Sequence, residues 1–197
     1  MRIRSPGRGD ALLVVDVQKD FLPGGALAVP EGDAVIPPLN EAIRAFAEAG
    51  LPIFATRDWH PPNHCSFVEQ GGLWPLHCVA GTRGAAFPAF LRLPASTVVI
   101  SKADDPASEA YSAFSGTDLA ERLSDRGVRR VFAGGLATDY CVLRTVLDAR
   151  AAGLDVVVLD DAARAVDVEP GDGTRAIDRM RAAGATFAAT RTVLAEG

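Results

Sequence analysis

The amino-acid sequence predicts an α/β fold, with three layers (α/β/α) built on a doubly wound, mostly parallel sheet of about six strands. Short apolar runs recur along the chain without polar alternation, as in strands that are buried on both faces. Between them lie segments whose apolar residues recur every three or four positions, as in amphipathic helices. Regular alternation of such strands and helices is typical of a parallel sheet that carries helices on both faces.

Six apolar runs are the predicted strands. Each is short, rich in β-branched or other apolar residues and bounded by turn residues, which suits a buried strand. In chain order the runs are 12–15, 51–56, 97–100, 128–133, 155–159 and 185–189.

Four segments with helical spacing of apolar residues separate these strands. Each is followed by a glycine, the residue that most often ends a helix. In chain order the helices cover 36–46, 118–126, a segment from Asp139 and 174–183, and they end at Gly50, Gly127, Gly153 and Gly184.

Composition limits the classes of function. The chain of 197 residues is expected to form a single domain over residues 1–197, with residues 1–10 as a loose lead-in. A net charge of −5 without a Lys/Arg run predicts no nucleic-acid partner. No apolar stretch approaches membrane-spanning length and the N-terminus lacks a signal-peptide pattern, so we expect no membrane partner. An odd count of three cysteines then predicts a cytoplasmic protein without a disulfide framework.

Chemically useful residues follow the predicted strands. Asp16, Asp58 and Lys102 come at or just after the ends of the first three strands, and Cys141 follows the fourth. Because ligands bind beyond the carboxyl ends of parallel strands, we expect these side chains to converge. A carboxylate near a thiol can take its proton, and a nearby ammonium can orient that carboxylate. Taken singly, each is better interpreted as a structural residue: a buried apolar cysteine, an aspartate that faces a helix or a solvated lysine. Their combination at one edge of the sheet favours catalysis.

Cys141 is placed where a helix begins. Gly134 and Gly135 predict a tight turn after the fourth strand, and Thr138 is a plausible N-cap, so that Cys141 falls in the first helical turn. The free N–H groups and positive dipole at such a position should lower the pKa of the thiol. The same N–H groups could bind an oxyanion.

All three histidines lie in one connection, close to an aspartate. Asp58, His60, His64 and His77 offer a carboxylate and imidazoles in a spacing that suits a divalent ion of the zinc, iron or manganese type. Scattered surface histidines are one alternative, and a structural zinc that recruits a cysteine of the same connection is another. The metal interpretation is favoured, with the identity of the ion left open and zinc the first expectation.

Aromatic side chains are sparse but concentrated in the loops that follow the first two strands. Phe21, Trp59, Phe67 and Trp74 lie there, where they could enclose a flat ring. Packing of two long loops explains each of them equally well.

With these residues in view, the chain resembles the nicotinamidases and pyrazinamidases of the isochorismatase-like cysteine hydrolases. The resemblance runs from Leu12 to about Phe187 and also includes Lys102. The motifs that carry it are LVVDVQKDF (13–21), GGALAVP (24–30), RDWHPPNH (57–64), WPLHCV (74–79), YSAF (111–114) and GLATDYCV (135–142).

The resemblance implies a role for each residue that falls on a family motif. It implies a catalytic triad of Asp16, Lys102 and Cys141 and one divalent metal ion held by Asp58, His60, His77 and His64. It implies that Phe21 and Trp74 contact the substrate ring. It also implies a cis peptide bond between Leu136 and Ala137, and an oxyanion hole formed by the backbone N–H groups of Ala137 and Cys141.

The activity implied by the resemblance is hydrolysis of nicotinamide to nicotinate and ammonia in NAD salvage, with pyrazinamide as a further substrate. The expected partner is thus a small molecule, and a homo-oligomer is left open. One alternative is another hydrolase of the same superfamily that acts on a carbamoyl or ureido amide or on isochorismate. A non-enzymatic binding domain with a structural metal is a third hypothesis.

Overall fold

A six-stranded parallel sheet forms the middle layer of the computed structural model, which describes residues 3–195. The strand order is β3-β2-β1-β4-β5-β6 and every neighbouring pair is parallel, so the predicted α/β sheet is confirmed and is entirely parallel. The strands are β1 (Asp10–Val15), β2 (Ile53–Asp58), β3 (Val98–Lys102), β4 (Arg130–Leu136), β5 (Asp155–Arg164) and β6 (Thr186–Ala188).

Five α-helices in the described residues cover the two faces of the sheet. They are α1 (Ile36–Glu48), α2 (Leu119–Asp125), α3 (Leu143–Ala151), α4 (Asp172–Ala182) and α5 (Thr190–Leu194). Helices α1 and α5 pack on one face and α2, α3 and α4 on the other, which gives the predicted three layers. The sequence did not predict α5, because five residues are too few to show a helical period. None of the helices in residues 3–195 is long and apolar enough to span a bilayer.

Burial on both faces explains the uninterrupted apolar sequence of the strands. In β1, Leu12 and Val14 pack in the core beneath α1, while Leu13 and Val15 pack beneath α2 to α4. All four side chains are fully buried. Burying each side chain of this size contributes about 1.5–3 kcal/mol, so neither face of the strand can carry a polar residue without loss.

β1 begins earlier than the apolar pattern predicts. Its first residue, Asp10, is 1% exposed, and its carboxylate accepts hydrogen bonds of 3.0 and 2.7 Å from the guanidinium of Arg130 on β4. Asp10, which was expected to be the last residue of the loose lead-in, is thus part of the sheet and forms a buried ion pair. Met1 and Arg2 lie outside the described residues, and looseness of the remaining lead-in stays a prediction.

The two glycines before Cys141 belong to β4, so the predicted tight turn at this position is wrong. Gly135 has a φ of +134°, and a Cβ on it would collide with the backbone of Val15 on the neighbouring strand. The register between β4 and β5 shifts between Ala133 and Gly135. These glycines are therefore needed for close strand packing, and the chain turns only after Leu136.

Candidate active site

The candidate site lies where the direction of strand order reverses. The chain winds outward from β1 through β2 to β3 in one direction and from β4 through β5 to β6 in the other. A crevice forms beyond the carboxyl ends of strands at such a switch point. The structure brings the predicted triad together there: Asp16 follows β1, Lys102 ends β3 and Cys141 follows β4, all of them buried.

Lys102 is the centre of this arrangement. Its Nζ lies 2.9 Å from Asp16 Oδ2 and 2.5 Å from Asp58 Oδ1, and 3.6 Å from Cys141 Sγ. It also donates a hydrogen bond of 3.1 Å to the carbonyl of Ala110. Burial alone would lower the pKa of Lys102, but the two carboxylates raise it well above its usual value. The ammonium is therefore charged at neutral pH and compensates two buried carboxylates.

Asp16 has the properties of a general base. Its φ of +49° directs the chain sharply away from β1, and Thr56 Oγ1 donates a hydrogen bond of 2.5 Å to Oδ1. Oδ2 is close enough to Lys102 for an ion pair, yet it has no well-aligned hydrogen-bond donor among the described residues. Burial raises the pKa of Asp16, although Lys102 and Thr56 oppose the shift. A carboxylate with a raised pKa and an available lone pair is suited to accept a proton.

Cys141 lies in a single π-helical turn, Thr138–Val142, that leads into α3. Ala137 takes the N-cap position and no side chain caps this turn, so the predicted capping role of Thr138 is wrong. Burial raises the pKa of Cys141 well above its usual value, and Lys102 offsets this only in part. The expected low pKa is therefore wrong too, because loss of water outweighs the favourable charge and helix start. A thiol of this kind needs a base, and Asp16 is in reach: donor atoms of Asp16, Asp58 and Cys141 lie within 4.8 Å of one another.

Three of the four predicted metal ligands come together beside the triad. One donor atom each from Asp58, His60 and His77 lies within 4.8 Å of the others, and all three residues are buried. Nδ1 of His60 contacts the carbonyl of Ala103 at 3.2 Å, and Nδ1 of His77 contacts that of Pro75 at 2.7 Å. A carbonyl only accepts, so these contacts put the proton on Nδ1 and leave Nε2 free to bind metal.

The donor set fits a divalent cation. Burial lowers the pKa of His60 to about 4, so its imidazole is neutral and can coordinate at neutral pH. The neighbouring Asp58 carboxylate is held ionised: burial alone would raise its pKa, but Lys102 and the imidazoles bring it below the usual value. A carboxylate with two imidazoles leaves coordination positions for water or substrate, as in catalytic rather than structural sites.

The structure does not bring His64 into this group. Its ring lies 4.2 Å from that of His60, centroid to centroid, but both of its nitrogens face protein groups. Nδ1 contacts Ser66 Oγ at 2.7 Å and Nε2 contacts the carbonyl of Ser108 at 3.1 Å. A role for His64 as a metal ligand stays a prediction, and the hydrogen bonds favour a supporting role instead.

A pocket reaches Cys141 of the triad and two of the predicted metal ligands, Asp58 and His77. Trp74 forms one wall, fixed by a hydrogen bond of 2.9 Å from its Nε1 to Tyr111 Oη and by edge contact with Tyr140 at 5.0 Å between centroids. Sequence reasoning missed both tyrosines, although each lies within a motif of the resemblance. The residues that line the pocket are Phe21, Leu27, Val29, Asp58, Trp74, His77, Tyr111, Ala137, Tyr140, Cys141 and Val166.

The other two loop aromatics are placed differently from Phe21 and Trp74. Phe67 is fully buried and meets the ring of His60 edge-on, at 5.4 Å between centroids. Trp59 is covered by the guanidinium of Arg57, 3.6 Å from the ring centre. Neither residue lines the pocket, so packing explains both of them.

The peptide bond between Leu136 and Ala137 is cis, as the resemblance implies. Ala137 and Cys141 both line the pocket, on the side where β4 gives way to the π-helical turn. Their assignment as oxyanion-hole donors stays a prediction.

Comparisons with known proteins agree with the family that the sequence resembles. The sequence profile of the isochorismatase domain matches residues 10–192. A nicotinamidase of Escherichia coli (strain K12) is 41% identical over 90% of this chain and 93% of its own. A pyrazinamidase of Pyrococcus horikoshii, solved in complex with zinc, superposes with a TM-score of 0.88 at 52% identity over 92% of this chain and 99% of that one. The protein PnC1 from L. infantum, solved with nicotinate, has a TM-score of 0.88 at 36% identity over 98% of both chains.

Proposed function

This chain belongs to the isochorismatase family, and we propose that it is a metal-containing cysteine amidohydrolase that converts nicotinamide to nicotinate and ammonia. Pyrazinamide, which it converts to pyrazinoate, is a second substrate under this proposal. The reaction serves NAD salvage. The proposal also includes a single hydrolase domain over the whole chain and a cytoplasmic location, which the three free cysteines support.

One observation carries the proposal: a buried thiol that lines a pocket with aromatic side chains lies beside a buried carboxylate and a buried ammonium. Cys141, Asp16 and Lys102 are those three groups, and Cys141 reaches the pocket. Burying three ionisable groups is costly unless they compensate one another and have a task. A thiol with a base beside it is the arrangement that nucleophilic attack on a carboxamide requires.

The first half of the reaction forms a thioester. Asp16 takes the proton of Cys141, the sulfur attacks the carboxamide carbon, and the carbonyl electron pair moves onto oxygen. The backbone N–H groups of Ala137 and Cys141 bind this oxyanion, where the loss of one donor typically costs on the order of 3 kcal/mol in the barrier. Asp16 then returns its proton to the nitrogen, the C–N bond breaks and ammonia leaves.

The second half regenerates the thiol. Asp16 removes a proton from water, the water oxygen attacks the thioester carbon, and the C–S bond breaks with release of nicotinate. The sulfur recovers its proton from Asp16. Lys102 stays charged throughout and stabilises Asp16 whenever that residue is ionised, as its contact of 2.9 Å supports. The raised pKa of Asp16 makes its carboxylate a better proton acceptor, and the raised pKa of Cys141 keeps the thiol protonated until Asp16 takes that proton.

Asp58, His60 and His77 would hold the metal, and zinc is the ion that we propose. When bound, the metal would supply a Lewis-acid site that orients a ring nitrogen of the substrate. Phe21 and Trp74 both line the pocket and would contact the ring of the substrate. This positioning would bring the carboxamide to Cys141.

Removal of the sulfur tests the covalent step. Cys141→Ala is expected to lower kcat for ammonia release by about a thousandfold or more, because the nucleophile is lost. Cys65→Ser is the matched control: this half-buried free thiol lies outside the pocket and its replacement should leave turnover unchanged. Residual activity of Cys141→Ala above about one thousandth of the wild-type rate would contradict covalent catalysis.

Substrate and metal are tested in the same assay. Ammonia release is measured with nicotinamide, pyrazinamide and carbamoyl compounds, before and after the metal is removed with a chelator, and with metal content determined in parallel. We expect the pyridine and pyrazine carboxamides to be preferred, with activity lost on chelation and restored by zinc. Preference for a carbamoyl compound, or full activity without metal, would favour another hydrolase of the same family.

A further inference from the structure

Asp139 makes a contact that the proposed reaction does not use. It precedes Cys141 by two residues in the π-helical turn Thr138–Val142. Its carboxylate accepts two hydrogen bonds from consecutive backbone N–H groups: Oδ1 from Val166 at 3.0 Å and Oδ2 from Asp167 at 2.8 Å. These N–H groups belong to the loop between β5 and α4, which is remote in sequence from the turn that holds the nucleophile.

That loop has an unusual shape which the same contacts maintain. Asp167 adopts a left-handed φ of +52°, and its own Oδ1 accepts a hydrogen bond of 2.7 Å from Gly173 N in the first turn of α4. Gly173 is tightly packed, since a Cβ there would lie 2.7 Å from the Cβ of Ala165. Two carboxylates in series therefore join the nucleophile turn, the loop and the start of α4.

The side chain of Val166 gives this connection a consequence for the pocket. Val166 is half-buried, packs against the core beneath α1 and lines the pocket together with Cys141. Its backbone N–H donates to Asp139, so the turn that carries Cys141 also holds this wall of the pocket. Within residues 3–195, the other contacts of Val166 with the site are apolar, and apolar contacts do not fix orientation as hydrogen bonds do.

We propose that Asp139 is a positioning residue for substrate binding: it holds the Val166 wall at a fixed place relative to Cys141 and so determines how closely the pocket fits a flat ring. This inference rests on the proposed amidase function for its kinetic consequence, but not for its structural one. In the described residues Asp139 makes no hydrogen bond or ion pair with Asp16 or Lys102, and the proposal gives it no part in proton transfer.

The choice of aspartate rather than asparagine follows from the two donors. A carboxylate accepts at both oxygens, whereas a side-chain amide would turn its NH₂ group toward one of the backbone N–H groups. Asp139→Asn therefore loses one hydrogen bond and places two donors against each other, with almost no change in volume. Because hydrogen bonds to charged groups are among the stronger ones, the wall should become loose in this variant.

Kinetics test the consequence for the substrate. For Asp139→Asn we expect KM for nicotinamide to rise about tenfold while kcat changes by less than about threefold, since the triad is unaltered. Val166→Ala should raise KM in the same direction. The double variant should be no worse than the more impaired single variant, because both changes act on one wall. A fall in kcat at unchanged KM, or multiplicative effects in the double variant, would overturn the proposal.

Amide hydrogen exchange tests the two hydrogen bonds from Val166 and Asp167 to Asp139 without any substrate. In the wild-type protein the amides of Val166 and Asp167 should exchange slowly although they lie in a loop, and in Asp139→Asn they should exchange at least about tenfold faster. Asp148→Asn is the matched control, an exposed acid on α3 whose replacement should alter neither exchange nor KM. Rapid exchange of both amides in the wild type would show that these hydrogen bonds do not hold the loop, and would refute the proposal. Absence of nicotinamide hydrolysis with these amides protected would refute only the proposed function.

Discussion

Lys102→Met is the most demanding test of the buried charges. The substitution keeps the length and most of the volume of the side chain but removes the ammonium that faces Asp16 at 2.9 Å and Asp58 at 2.5 Å. Lys102 and Asp16 are fully shielded from solvent in their side chains, and Asp58 is 7% exposed. In the variant, two carboxylates would therefore remain buried without a counter-ion.

The expected loss of stability is large. Removing one partner of a buried ion pair typically costs about 3–5 kcal/mol, because the remaining charge is uncompensated. Here one ammonium serves two carboxylates, so we expect the free energy of unfolding at pH 8 to fall by at least about 3 kcal/mol. Lys19→Met is the control. Lys19 is the other lysine of the chain, makes no ion pair in the described residues, and should change stability by less than about 0.5 kcal/mol.

The loss should also depend on pH, with a predictable sign. Without Lys102, burial raises the pKa of both carboxyls above that of the unfolded chain, so their neutral forms are favoured in the folded state. The variant should then lose stability as pH rises above the unfolded pKa, near 4, because ionisation increasingly favours unfolding. In the wild type the pKa of Asp58 is lowered by folding, so its ionised carboxylate stabilises the folded state at neutral pH. This stabilisation is lost only as pH falls through the lowered pKa of Asp58 in the folded protein. The difference between the two proteins should thus shrink from pH 8 to pH 5.

Urea unfolding followed by tryptophan fluorescence at both pH values measures this difference, with a chelator present for all proteins. The double variant Asp16→Asn/Lys102→Met should recover part of the lost stability, because it removes one uncompensated carboxylate. A loss below about 1 kcal/mol at pH 8, or one that is the same at pH 5, would show that the charges at this site are not compensated in the way the distances indicate.

Two further substitutions test residues that support the site. In the wild type, the Thr56 hydroxyl donates to Asp16 Oδ1 at 2.5 Å and thereby lowers the pKa of that carboxyl. Thr56→Val removes this hydrogen bond, so the pKa should rise and the acidic limb of the kcat/KM profile should move to higher pH. An unmoved limb would exclude Asp16 as the titrating base. The buried side-chain amide of Gln18 accepts a hydrogen bond from Asp58 N at 2.7 Å and donates one to Asp58 O at 2.9 Å. Gln18→Leu removes both, so zinc affinity, measured by competition with a chelating dye, should fall on the order of 10–100-fold. Equal affinity in the two proteins would show that Gln18 does not position the Asp58 ligand.

The fold could be predicted because its signals are local. Continuous apolar runs identify strands that are buried on both faces, and helical spacing with a terminal glycine identifies the helices between them. The signal failed where polar residues continue a strand. β5 runs on through Asp160 and Asp161 to Arg164, and Asp161 is used there to accept hydrogen bonds of 2.9 and 2.8 Å from Thr190 at the start of α5.

The members of the site could likewise be found from their places at strand ends, but their properties could not. Asp16, Lys102 and Cys141 were expected to meet, and they do. That the thiol has a raised rather than a lowered pKa depends on burial by segments far apart in the sequence. The hydrogen bonds that turn both nitrogens of His64 toward serines, and those that tie Asp139 to the pocket wall, are long-range or lack a sequence signature.

Sequence alone therefore predicted the parallel sheet and most of its helices, the candidate residues for the chemistry and the family that the chain resembles, since periodicity and motif spacing can be read along the chain. Tertiary structure decided the direction of the pKa shift of Cys141, the sharing of one ammonium between two carboxylates and which of the predicted metal ligands come together. These depend on solvent exclusion and on distances of 2.5–3.6 Å between residues that are tens of positions apart, such as Lys102 with Asp58 and Cys141. Electrostatic energies vary steeply with both quantities, and neither is encoded in local pattern.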